Sequence, residues 1–150
     1  MNTLDTLKNI SLCFVLALVL TGLSYAIEST FLASFVNNNL ILILLTIFSI
    51  NITTSSVILT KLKEISESHD IDFPKSVQEL KLSMQEQVVI VCLAFLFLIF
   101  KESQVISNSE IAHKTVNTLL VTLFIFEVYI LRDLALSIFV ILDSETDKPN

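Results

Sequence analysis

The chain has 150 residues, of which 53% are hydrophobic and only 16% charged, with a mean hydropathy of +0.78 and a net charge of −6. That composition excludes an ordinary soluble domain. The acidic balance, with no basic stripe, excludes a nucleic-acid partner, and Cys13, Cys92, His69 and His113 are too scattered for metal-ligand spacing, so neither metal nor cofactor is expected.

The first element is the uncharged apolar run 10–27. Lys8, the apolar core that follows and the small-residue pattern Ser24, Tyr25, Ala26 have the form of a cleavable signal peptide. Asp5 dilutes the positive region, and the run is read as the first transmembrane helix, with Ala17, Thr21 and Gly22 as a small-residue face open to close packing. Residues 28–39 read as a short connection closed by Asn37, Asn38 and Asn39, because asparagine tolerates left-handed backbone angles. The second span is 40–60. In it Thr46, Ser49, Thr53, Ser56 and Thr60 recur every three or four residues, which stacks them on one helical face. Such a stripe serves either close helix packing or a water-filled path. Asn51, near mid-span, fits both.

Residues 61–87 are the one extended hydrophilic region. Lys61 with Glu64 and Lys63 with Glu67 have helical spacing, so the second helix is expected to continue to about Glu67. Pro74 marks a turn, and Ser76 with Glu79 has the form of a capping box that starts the next helix. The segment reads as a helical hairpin projecting beyond the membrane. It is either a solvated connector or a docking surface for a cytoplasmic protein, with Ile71, Phe73, Leu80 and Leu82 as anchors. The third span, 84–100, has an uninterrupted apolar part of only thirteen residues, 88–100, the length of a re-entrant or interfacial segment, and comes close to spanning length when 84–87 are included and Lys101 snorkels at its end.

The fourth apolar run, 116–142, would be roughly 40 Å long as a helix against a hydrocarbon core of about 30 Å. It carries Glu127, Arg132 and Asp133. Ionisable residues at bilayer depth cost on the order of 3 kcal/mol and usually face a partner. Tyr129, Arg132 and Asp133 can meet on one face, whereas Glu127 and Arg132 point roughly 140° apart. Glu127 is therefore expected either to be protonated in the fold or to meet Arg132 of a second copy, which makes the chain a homo-oligomer. Its role is intersubunit glue or ion passage. The acidic end 143–150 is expected to be an exposed tail.

The expected fold class is all-α: a polytopic four-helix membrane bundle, one domain, with a cytoplasmic helical hairpin. Lys61, Lys63, Lys75 and Lys81 between spans two and three place that loop and both termini on the cytoplasmic side. No phosphate loop, serine elbow or nucleophile-histidine pair is present, so no enzyme is expected. Apart from Gly22 no span holds a helix breaker, against the pattern of alternating-access transporters.

With its four spans and hairpin 61–87, the chain resembles the small four-span membrane subunits of bacterial anti-phage systems, such as the membrane component of Kiwa. The resemblance lies in size and topology and transfers no residue. It implies an oligomeric inner-membrane sensor or scaffold that couples a membrane event to a cytoplasmic partner. The chain also resembles immunity proteins against pore-forming bacteriocins, and an ion-conducting oligomer is the third alternative.

Overall fold

The computed structural model describes residues 3–69, 73–103, 106 and 109–146, and side-chain surroundings for 7–67, 73–103, 106 and 109–137. It consists of four long helices, α1 (Thr3–Ala26), α2 (Phe31–His69), α3 (Pro74–Lys101) and α4 (Glu110–Thr146), with no strand among the described residues. Leu7–Ala26, Phe31–Glu67 and Pro74–Lys101 are each long and apolar enough to cross a membrane. The chain is thus an all-helical membrane protein. α4 runs for 37 residues and packs against all three of the others, while α1 and α2 barely touch.

Three boundaries differ from the expectation. The first turn does not sit at Asn37, Asn38 and Asn39, all of which are helical. It sits at residues 27–30, where the Ser29 N–H donates to the Ser24 carbonyl (2.9 Å) and the Glu28 N–H to the Tyr25 carbonyl (3.1 Å), with Glu28 at φ 54°. This is a Schellman ending with a left-handed C′ residue. α3 begins without the capping box: Phe73 is its N-cap, Pro74 opens the first turn and no side chain caps it, so Ser76 and Glu79 lie inside the helix. Proline at this position gives up an N–H that has no helical acceptor anyway. α4 continues to Thr146, so the first residues of the expected tail are helical, and 147–150 lie outside the described residues.

Seven-residue repeats set the register of α2, α3 and α4. Buried positions recur at Leu44, Asn51 and Ile58 on α2, at Leu80, Gln87, Ala94 and Lys101 on α3, and at Leu120, Glu127 and Leu134 on α4. Seven residues are two turns, about 10.5 Å, and return to nearly the same face. Ile58, Leu80 and Leu134 share one apolar cluster near the α2–α3 connection, whereas Leu44, Ala94 and Leu120 share another. The two clusters fix the helices in register at both ends of the interval between them.

On the other side of α4, α1 runs antiparallel and in contact. The Thr21 and Thr118 hydroxyls meet at 3.2 Å, and Asn9 Nδ2 donates to the Tyr129 hydroxyl at 2.8 Å. Cys13 and Ala17 are buried between these two contacts. Gly22, expected on the packing face, has nothing near it, and the tight side of α1 is the Cys13, Ala17, Thr21 stripe one position away.

Candidate functional site

One layer between the two apolar clusters is polar. Asn51, Gln87 and Glu127 each lie seven residues from a member of the Ile58, Leu80, Leu134 cluster and seven from a member of the Leu44, Ala94, Leu120 cluster. They therefore occupy the same level, one from each of α2, α3 and α4, on the faces that point into the bundle. Asn51 and Gln87 are 1% exposed and Glu127 is 0% exposed. Both carboxylate oxygens of Glu127, both amide atoms of Asn51 and Oε1 of Gln87 have no hydrogen-bond partner in the protein. Buried polar atoms in native proteins are almost always satisfied, so five such atoms in one layer mark a site.

Within one chain this burial leaves Glu127 no surface through which to meet Arg132 of a second copy. The side chain has no exposed surface, because α4 places it two turns from Leu120 and from Leu134 on the same inward face. Arg132 and Asp133 are exposed, and Tyr129 takes its hydrogen bond from Asn9 on α1. Thr46, Ser49, Thr53, Ser56 and Thr60 are all exposed, each donating its hydroxyl to the carbonyl four residues earlier. The stripe therefore lines no path inside one chain and presents a self-satisfied face outward.

At the far end of the bundle from the α2–α3 connection a second polar group joins all four helices. Lys101 is only 4% exposed and donates from Nζ to Oδ1 of Asn37 on α2 and to Oδ1 of Asn117 on α4, both at 2.5 Å. Asn117 Nδ2 in turn reaches the Tyr25 hydroxyl of α1 at 3.4 Å. Lys101 thus does not snorkel outward: an ammonium on this inward-facing position finds amide oxygens nearer than water. Beside it the Lys114 ammonium lies 5.0 Å from the Tyr25 ring centroid and pairs with Glu110, holding that exposed carboxyl below its usual range.

At the hairpin end the expected anchors divide. Leu80 packs into the core with Ile58, Leu62 and Leu134, whereas Phe73 is half-buried, packing against that cluster while still lining the groove between α2 and α3. Leu82 is 48% exposed, and Ile71 lies outside the described residues. Between α2 and α3 runs an open groove of about 990 Å³, walled by Leu59, Phe73, Val77 and Leu82 and flanked by Lys63 and Lys81. The salt bridges foreseen on α2 are present, Lys61–Glu64 at 2.8 Å and Lys63–Glu67 at 3.7 Å, both exposed.

Gln87, Lys101, Asn37 and Asn117 were not foreseen as site residues. The signal that finds Gln87 is its place in the run Leu80, Gln87, Ala94, Lys101, in register with Asn51 and Glu127. No known protein family, curated protein or solved structure matches the chain.

Proposed function

We propose that the chain is a membrane sensor or scaffold subunit with α4 as its fourth span, and that it carries a change in the bundle to a protein partner held at the α2–α3 hairpin. The observation that supports this most is the continuity of α2 and α3: each passes without a break from the polar layer at Asn51 and Gln87 to the groove at Leu59 and Leu82. A change of packing at the buried layer then moves the walls of the groove, because long unbroken helices transmit displacement rather than absorb it at a hinge. The groove supplies what a small docking site needs, apolar walls with charged residues at the rim.

Lys61, Lys63, Lys75 and Lys81 favour a cytoplasmic hairpin and cytoplasmic termini in a bacterial inner membrane. Anti-phage defence is the setting that the topological resemblance implies. A homo-oligomer is retained in this reading on the outward hydroxyl face of α2, where small residues let a second copy approach closely, and no longer on Glu127.

The test is co-purification of a cytoplasmic protein with the full-length chain from its native host, in wild type and Leu82→Asp. The reading expects a stoichiometric partner that Leu82→Asp loses while staying membrane-inserted. A chain that protects cells from a pore-forming toxin equally well as wild type and as Leu82→Asp, with no partner, is an immunity protein instead.

A further inference from the structure

We infer that Asn51, Gln87 and Glu127 form a binding site for a monovalent cation, with sodium as its ligand. The inference goes beyond hairpin docking and stands independently of it. The layer offers four unpartnered oxygens, Oε1 and Oε2 of Glu127, Oδ1 of Asn51 and Oε1 of Gln87. These come from three helices at one level, each side chain at least 99% buried, between apolar layers on both sides.

The donor set restricts the ion to a hard, singly charged cation. Carboxylate and amide oxygens are hard donors that suit alkali and alkaline-earth cations. One carboxylate balances one positive charge, so a divalent ion would leave net charge buried between the two apolar clusters, at high cost. Soft metals need thiolate or imidazole. The buried Cys13 sits on α1, where α4 meets it with Thr118 and Tyr129, whereas Glu127 belongs to the face of α4 turned to α2 and α3. Among the described residues the other buried formal charge is Lys101, fourteen residues along α3 from Gln87, roughly 21 Å away. That is too far to neutralise the carboxylate by contact. Asn51 Nδ2 is also unpartnered and so free to donate when its Oδ1 is taken up by the ion.

The experiment measures the thermal midpoint of the full-length chain in lipid nanodiscs at fixed pH, in sodium chloride and in choline chloride of equal ionic strength. With sodium about a hundredfold above its Kd, wild type is expected to melt about 5 °C higher in sodium. Glu127→Gln and Asn51→Leu are expected to melt alike in the two salts. In parallel, modification of Glu127 by a hydrophobic carbodiimide, read by mass spectrometry, is expected to slow several-fold in sodium. Equal wild-type midpoints in the two salts overturn the inference, and equal modification rates then identify a carboxyl neutralised by a proton alone. A sodium shift of undiminished size in Glu127→Gln overturns it as well.

Discussion

Lys101 of α3 and Asn117 of α4 are joined by a hydrogen bond of 2.5 Å in the buried end of the bundle, and the same ammonium holds Asn37 of α2 at the same distance. A charged donor shared by two amide oxygens is among the stronger polar contacts a fold can make. Lys101→Met keeps the stem and removes the donor, leaving both oxygens unanswered. The expected loss is about 1–3 kcal/mol in equilibrium unfolding in mixed micelles. In a double-mutant cycle with Asn117→Leu the two losses should couple by about 1 kcal/mol or more, and additivity would show that the contact carries no energy.

The polar layer predicts an inverted result for Glu127. Removing a buried polar group that has no partner relieves a desolvation cost, and replacement by an apolar side chain of similar size is neutral or stabilising by about 1–4 kcal/mol. In sodium-free choline buffer Glu127→Leu should therefore unfold at least as late as wild type. A loss of several kcal/mol would mean that the carboxylate is already held by protein donors.

Two leucines two residues apart on α3 should behave differently. Leu80→Ala opens a void among Ile58, Leu62 and Leu134 and is expected to cost about 2–5 kcal/mol. Leu82→Ala lies on the exposed groove wall and should change stability by no more than about 0.5 kcal/mol. Similar losses at both positions would contradict the register of the hairpin.

The left-handed residue that ends α1 is a glutamate. A side chain there costs about 1–2 kcal/mol that glycine avoids, partly offset by the greater freedom of glycine in the unfolded chain. Glu28→Gly is expected to raise unfolding stability by about 1 kcal/mol, and a lower stability would argue for a different turn.

The helices themselves were readable because apolar runs of spanning length and helical charge pairs are local features of the chain. Lys61, Glu64, Lys63 and Glu67 placed the continuation of α2 correctly, two residues short of His69. The run Asn37, Asn38, Asn39 misled because its turn propensity is weak beside its surroundings. Within the helix Asn39 bonds the Phe35 carbonyl at 3.1 Å, and Asn37 is taken up by Lys101. Ser76 and Glu79 misled in the same way, since Pro74 had already opened the helix. The polar layer was half legible: Asn51 and Glu127 stand out in apolar runs. Gln87 does not, because it borders a hydrophilic segment, and only the heptad relation across three helices sets it beside them.

The measurement that tests the account most directly is disulfide formation between Asn51→Cys and Glu127→Cys, in a chain with Cys13 and Cys92 changed to Ala, oxidised mildly in the membrane. The buried layer predicts a crosslink within one chain, seen as a monomer with altered mobility that reverts on reduction. Crosslinked dimers, with no intrachain product, would show that position 127 faces a second copy and would contradict the packing on which the site rests.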